Sequence, residues 1–201
     1  MSDPGPPGER KLLLGCGILR KEIEFLVGKN RWPVETLFLD SALHVSFNRL
    51  STALERSLAR SAGRDVVVFY GACHPLMEPM LAAARTRRTV GQNCVDILLG
   101  NARFTEALAS GAFFLLEDWV LRWESIMART FGSDLSIRRD IFQSSHTHLL
   151  ALKTPCSGDF SAEAEAIGAS LSLPVRWAEV SLDPLERTLA QALFGEEPGD
   201  G

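Results

Sequence analysis

The chain has 201 residues, of which 46% are hydrophobic and 23% are charged, and its formal net charge is −4. This composition is typical of one globular domain, and it excludes the basic surface on which nucleic-acid binding depends. No apolar run approaches the length of about 20 residues that a membrane-spanning helix needs, so we expect no membrane partner.

The two ends of the chain are rich in glycine and proline or in acidic residues. Residues 1–10 contain no apolar signal core, which predicts a disordered leader and a cytoplasmic location. We expect a disordered tail over 196–201 and a single domain over 11–195. Because thiols stay reduced in the cytoplasm, the four cysteines are expected to be buried, catalytic or metal-binding rather than paired in disulfides.

Apolar runs alternate with segments of helical periodicity along the whole chain. This alternation predicts an α/β fold, in the form of a single Rossmann-like three-layer domain with a mostly parallel sheet. In the first half, the predicted elements are a strand at 11–15, a helix ending at Gly28, a strand at 36–39, a helix at 47–58, a strand at 65–70, a helix at 75–85 and a short strand at 87–90. In the second half, they are two helices meeting at Gly100, a strand at 112–116, helices at 119–127 and 136–143, a strand at 146–152, a helix at 161–172, a strand at 175–180 and a last helix that Asp183 caps.

Three cysteines, Cys16, Cys73 and Cys94, each follow a predicted strand closely. The carboxyl ends of parallel strands meet at one edge of a sheet, and neighbouring strands lie about 4.8 Å apart, so the three thiols can converge there. Thiolates in such turns ligate zinc or iron–sulfur clusters. The sequence therefore predicts a three-cysteine metal site, although the chain has no CxxC pair to strengthen a prediction of zinc.

Glycines surround these cysteines, and they permit tight turns and close approach of the backbone to a bound group. The residues predicted to lie against a cofactor are Gly15, Gly17, Gly71 and Asn93. The common nucleotide-binding patterns GxGxxG and GxxxxGK[ST] are absent, and so is the GxSxG turn of serine hydrolases.

The histidines divide into two predicted groups. His44 and His74 follow predicted strands at the same edge as the cysteines, where they could complete the ligand shell of a metal or transfer protons, and they are the candidate catalytic residues. His146 and His148 lie at the start of a predicted strand, which places them at the opposite edge and favours a structural role. Cys156 follows the sixth predicted strand and is a candidate fourth sulfur ligand.

Five segments of the chain occur in an order and spacing that resemble a known family. They are Gly15-Cys16-Gly17, Leu43-His44, Tyr70–Cys73, Asn93–Gly100 and Gly111–Trp119. Together, over about residues 11–195, they resemble the DUF1638 family of prokaryotic proteins, whose activity is unassigned. The resemblance implies that Cys16, Cys73 and Cys94 match the family's cysteines and that His44 matches its histidine.

The resemblance also implies a setting near corrinoid methyl-transfer systems. The chain departs from the family pattern at two places: His74-Pro75 replaces the glycine after the second cysteine, and Asn93 replaces the aspartate before the third. These changes adjoin the predicted site, so its ligand can differ from that of a typical member.

The sequence thus predicts a metal-binding α/β protein that acts on a small molecule or a metallocofactor, with a link to methyl transfer. Cys16, Cys73 and Cys94 would hold the metal and leave one coordination position open; an iron–sulfur cluster is favoured over zinc because it spans a wider gap. Two alternatives remain open. One is a non-catalytic carrier that delivers a metal or cofactor to a protein partner, and the other is a metal-free thiol enzyme with Cys73 as nucleophile.

Overall fold

The computed structural model describes residues 10–195, so the predicted leader before Arg10 and the predicted tail lie outside the described residues. Within 10–195, seven strands form two parallel sheets, with the orders β2-β1-β3-β4 and β5-β6-β7. The strands are β1 Lys11–Cys16, β2 Val34–Leu39, β3 Val66–Phe69, β4 Arg87–Arg88, β5 Ala112–Leu115, β6 His148–Lys153 and β7 Val175–Glu179. The predicted Rossmann-like α/β fold with parallel strands is confirmed, and the division of the strands into two sheets is a new finding.

Helices connect the parallel strands and cover the sheets. They are α1 Arg20–Lys29, α2 Phe47–Arg60, α3 Met77–Ala83, α4 Cys94–Leu99, α5 Asn101–Ala109, α6 Glu117–Val120, α7 Trp123–Phe131, α8 Leu135–Ser145, α9 Ser161–Leu171 and α10 Asp183–Phe194. Among the described residues, none of these helices has the length and apolar character needed to cross a membrane.

The order of the first sheet creates a crevice between β1 and β3. Strand β1 pairs with β2 on one side and with β3 on the other, so the chain moves outward to β2 and then crosses back over β1. The connections that follow β1 and β3 therefore leave in opposite directions. In open α/β sheets, ligands bind in the crevice beyond the carboxyl ends of two such strands.

The hydrophobic core joins the two halves of the chain. All four residues of β3 are buried, as expected for a strand covered on both faces. Leu185, Leu189 and Leu193 of α10 are fully buried and belong to the same cluster as β1 and β3. The last helix of the chain thus completes the core around its first sheet, while a second cluster surrounds β6.

Candidate functional site

Four potential ligand side chains follow the four strands of the first sheet. His44 lies in a short 3₁₀ helix, Ser41–Val45, after β2, and Cys16 is the last residue of β1. Cys73 lies in the loop after β3, and Cys94 is the first residue of α4, after β4. Because the sheet order is β2-β1-β3-β4, these four residues lie in a row along its carboxyl edge.

The loops that carry Cys73 and Cys94 contact each other through their backbones. A Cβ atom placed on Gly71 would lie 2.4 Å from the carbonyl oxygen of Gln92 and 2.4 Å from the Cα of Asn93. Such distances are far inside van der Waals contact, so only glycine allows this approach. The structure therefore explains Gly71 by the packing of one cysteine loop on the other.

Asn93 fixes the start of the helix that presents Cys94. Its side-chain Oδ1 accepts hydrogen bonds from the backbone N–H groups of Val95, at 2.9 Å, and Asp96, at 3.0 Å. This is the usual way in which an N-cap residue satisfies the free donors of a first helical turn. The cap places Cys94 in that first turn, where it faces the other cysteines.

The two glycines that flank Cys16 make room for neighbouring strands. A Cβ on Gly15 would lie 2.9 Å from the Cβ of Phe69, and one on Gly17 would lie 2.9 Å from the carbonyl oxygen of Leu39. These contacts account for both glycines without a cofactor. That Gly15 and Gly17 also lie next to a bound cofactor stays a prediction.

The three thiols and the imidazole, which we call the thiol–imidazole cluster, interact directly. Cys94 lies close enough to Cys16 and Cys73 for the three thiols to shift one another's pKa, and His44 does the same with Cys16 and Cys73. The distance from Cys16 Sγ to His44 Nδ1 is 3.8 Å, and the same nitrogen lies 3.1 Å from the carbonyl oxygen of Ser41. The structure thus brings together four of the five residues that the sequence predicted to share one edge, all except His74.

These contacts control the charges of the cluster. The hydrogen bond with Cys94 and the neighbouring His44 outweigh burial and lower the pKa of Cys16 to about 6 and that of Cys73 to about 5. The hydrogen bonds with Cys16 and Cys73 raise the pKa of Cys94, so it keeps its proton. Burial lowers the pKa of His44, but its bonds to the two sulfurs prevail and raise it to about 11. These shifts favour a charge state in which Cys16 and Cys73 are thiolates, Cys94 keeps its proton and His44 is an imidazolium.

Two buried donors next to the cluster lack partners. Among the described residues, the hydroxyl of Tyr70 and the indole N–H of Trp119 are buried without a hydrogen-bond partner. The His44 ring centroid lies 5.9 Å from that of Tyr70 and 6.5 Å from that of Trp119. A buried polar group without a partner costs about 1–3 kcal/mol, so two of them in one place indicate a ligand-binding region.

The geometry of a formed metal site is not present. Within residues 10–195, no group of three or more His, Cys, Asp or Glu side chains is arranged so that it could hold a metal ion as it stands. Metal ligation by Cys16, Cys73 and Cys94 therefore stays a prediction.

Two other predicted residues take part in different contacts. The buried His74 accepts a hydrogen bond at Nδ1 from the backbone N–H of Leu76, at 2.9 Å, and its ring packs edge-on against Phe47. These contacts hold the loop after Cys73, and a catalytic role for His74 stays a prediction. Cys156 is partly buried, and its charged neighbours include Glu22 rather than the cluster residues.

Two cavities open beside the cluster, and we call them together the apolar cleft. The first, of about 260 Å³, is lined by Cys94 and His44 and by the edge strand β5. The second, of about 290 Å³, shares four lining residues with the first. These shared residues are His44, Phe113, Trp119 and His146. The cleft gives a small molecule access to the cluster.

A family described as "Protein of unknown function (DUF1638)" matches residues 38–189, about three quarters of the chain. The chain belongs to the DUF1638 family. The matched region of this DUF1638 protein contains His44, Cys73 and Cys94, whereas Cys16 precedes it. Curated proteins and solved structures offer no match. The function must therefore be argued from the site itself.

The sequence did not indicate two residues of the cleft in this DUF1638 protein. Trp119 has the helical spacing of a core residue, and only its unpaired indole N–H distinguishes it. The placement of His146 at the edge opposite the cysteines is wrong, because one cavity is lined by both His146 and Cys94. In contrast, His148 is buried, and its Nδ1 lies 2.9 Å from the hydroxyl of Thr147. These contacts agree with the structural role predicted for His148.

Proposed function

We propose that this DUF1638 protein binds a thiophilic metal through Cys16, Cys73 and Cys94, with an open coordination position that acts on a small molecule. The observation that carries the proposal is the mutual contact of three thiols and an imidazole from four adjacent strand ends, at the crevice between β1 and β3. Three protein ligands and one open position are typical of catalytic zinc, whereas structural zinc sites close all four.

The proximity of the three thiols favours a single ion over a cluster as the form of this metal. With Zn–S bonds of about 2.3 Å, a tetrahedral ion holds two sulfurs about 3.8 Å apart, which is close to their contact distance. An iron–sulfur cluster inserts several irons and sulfides between its thiolates and so needs them further apart. It remains the alternative form of the proposal.

The neighbours of the cluster suit a transfer reaction on a bound molecule. Metal binding would replace the proton that Cys94 keeps between the other two thiols, because metals bind thiolates. His44 and the hydroxyl of Tyr70 could then donate hydrogen bonds to sulfur or to the molecule. A Lewis-acidic ion promotes attack by a bound thiol or water, which fits methyl or acyl transfer. The proposal places the protein in a reducing compartment such as the cytoplasm, since all four cysteines are free.

The second candidate function is a metal-free thiol enzyme with Cys73 as the nucleophile. Cys73 is partly exposed, while Cys16 and Cys94 are buried. Contact with Cys94 and His44 lowers its pKa to about 5, and an accessible thiolate beside an imidazolium is the usual arrangement of a reactive cysteine.

Metal analysis of anaerobically purified protein, after reconstitution with zinc or with iron and sulfide, tests the proposal. We expect about one zinc per chain in the wild type, and at least roughly tenfold weaker binding in Cys16→Ser, Cys73→Ser and Cys94→Ser. Cys156→Ser, outside the cluster, is the matched control and should bind like the wild type. Visible absorption with bound iron and sulfide would instead establish the cluster form.

Absence of zinc, iron and sulfide after reconstitution would overturn the metal proposal. Labelling by iodoacetamide then decides the second candidate, which requires Cys73 to react at about pH 6 and faster than Cys156. Bound metal without turnover of any small molecule would favour the carrier that the sequence left open.

A further inference from the structure

We infer that the apolar cleft binds a small neutral molecule with an apolar body and one hydrogen-bond acceptor, which pairs with the indole N–H of Trp119. The inference rests on the proposed function and deepens it, because it names the class of substrate that would reach the thiol–imidazole cluster. Trp119 lines both cavities, so a molecule in either one lies against its ring.

The walls of the cleft exclude a charged molecule. Among the described residues, no Lys, Arg, Asp or Glu lines either cavity. His44, which lines both cavities, already contacts the sulfur of Cys16, at 3.8 Å. An ion moved from water into such a place would lose most of its hydration.

Aromatic side chains shape the first cavity for a flat or compact apolar body. Phe104 stacks on Phe114 with their ring centroids 5.5 Å apart, and both line this cavity. Phe113 lines both cavities and packs edge-on against Phe142, with their ring centroids 4.9 Å apart. Aromatic walls bind apolar rings through area burial and through edge or offset contacts. The volume of about 260 Å³ accommodates a molecule of single-ring size.

One polar group next to these apolar walls lacks a hydrogen-bond partner. The indole N–H of Trp119 is buried and has no hydrogen-bond partner among the described residues. Because this nitrogen has almost no exposed surface, a small turn of the ring would bring the N–H to an ether or carbonyl oxygen of the ligand, whereas a purely hydrocarbon ligand would leave it unpaired. A site that must satisfy one buried donor discriminates between these two ligands.

The experiment compares anisole with ethylbenzene, which have the same number of heavy atoms and differ only by an ether oxygen in place of a methylene. Isothermal titration calorimetry of the full chain should show anisole binding roughly threefold to tenfold tighter, the range that one net hydrogen bond provides. In Trp119→Phe, which keeps an aromatic ring but removes the donor, the preference for anisole should disappear or reverse, because its ether oxygen would be buried without a partner. Retention of the anisole preference in this variant would overturn the assignment to Trp119.

A second pair of variants tests the location without removing the donor. Leu108 lines the first cavity and is 47% exposed, so Leu108→Trp should narrow the cavity without crowding the core and weaken both probes at least roughly tenfold. Leu76 is 58% exposed and lines neither cavity, so Leu76→Trp should bind both probes like the wild type.

Metal content measured on the same preparations separates this inference from the proposed function. If the thiols bind metal but neither probe binds, or the probes bind equally in the wild type, the cleft assignment is wrong and the proposed function stands. If anisole binds preferentially but no metal is bound, the cleft assignment stands and the metal proposal is wrong.

Discussion

Cys94 keeps its proton because the thiolates of Cys16 and Cys73 both attract it. The imidazolium of His44 balances one of their two negative charges. Buried charges are tolerated when opposite charges and hydrogen bonds compensate their lost hydration. A single metal cation in place of the shared proton would compensate the sulfurs more completely, which is the residue-scale reason to expect metal affinity here.

At the same scale, Gly71→Ala should destabilise the protein by about 1–3 kcal/mol, because the new Cβ would overlap backbone atoms that cannot rotate away. Its contacts would be Gln92 and Asn93, at 2.4 Å. The two cysteine loops would have to separate, so metal binding should weaken as well. Urea unfolding followed by circular dichroism measures the first effect, and metal per chain measures the second.

Gly28→Ala is the matched control for this substitution. Gly28 lies inside α1, and a Cβ there would meet nothing within 4 Å. Alanine in a helix is favoured over glycine by up to about 1 kcal/mol, so this variant should be at least as stable as the wild type. Equal urea midpoints for Gly71→Ala and the wild type would contradict the tight contact between the loops.

At the scale of the element, the start of α4 should depend on its cap. Asn93→Ala removes the acceptor for the N–H groups of Val95 and Asp96 and should cost about 1 kcal/mol of unfolding free energy. Because the same turn presents Cys94, metal binding should weaken too. Asn93→Asp keeps the acceptor and should retain both properties.

The cap of α8 supplies the control for this prediction. Asp134 Oδ1 accepts hydrogen bonds from the N–H groups of Ser136, at 2.8 Å, and Ile137, at 3.3 Å, far along the chain from the cluster. Asp134→Ala should therefore lower stability to urea without changing metal per chain. If Asn93→Ala likewise leaves metal binding unchanged, its cap does not position Cys94.

Local patterns in the sequence predicted most elements. The joint at Gly100 is confirmed, since α4 ends at Leu99 and α5 begins at Asn101. The buried strand at Val66–Phe69 is confirmed as well, because a run of apolar β-branched residues depends only on near neighbours. The approach of Cys16, Cys73 and Cys94 followed from strand direction alone, once the sheet was expected to be parallel.

Strand order and the number of sheets could not be predicted in this way. Apolar runs do not encode their pairing partners, so β5 and β6 were expected in the same sheet as β1. With a single sheet, His146 would lie at the edge opposite Cys94. Because β5 begins a second sheet, its unpaired edge faces the cluster instead, and His146 lines the cleft.

At the scale of the whole molecule, polar contacts join the halves that carry the two sheets. Glu22 of α1 is 6% exposed, and its Oε1 accepts a hydrogen bond at 2.7 Å from the hydroxyl of Thr154, which follows β6. Glu186 of α10 likewise pairs with Lys29 at the end of α1. Helix α1, which leads away from Cys16, is thus fixed to elements from the far half of the chain.

The buried Glu22 should make the stability of the whole molecule depend on pH. Burial raises the pKa of Glu22 above its ordinary value of 4.5, although the bond from Thr154 opposes this. Folding therefore favours the protonated form of Glu22. The resulting contribution to the free energy of unfolding is complete below pH 4.5, and it is lost as the pH rises through the raised pKa. Glu22→Gln cannot ionise, so it should become more stable relative to the wild type as the pH rises from 4.5 through the raised pKa.

Urea unfolding of both proteins at several pH values in this range measures that change. Glu24→Gln removes an exposed carboxylate from the same helix and controls for the loss of a charge from α1. A difference in unfolding free energy between the wild type and Glu22→Gln that stays constant with pH would contradict the prediction. Because Glu22 joins α1 to the residues after β6, a difference that grows with pH should be seen in the unfolding of both sheets together.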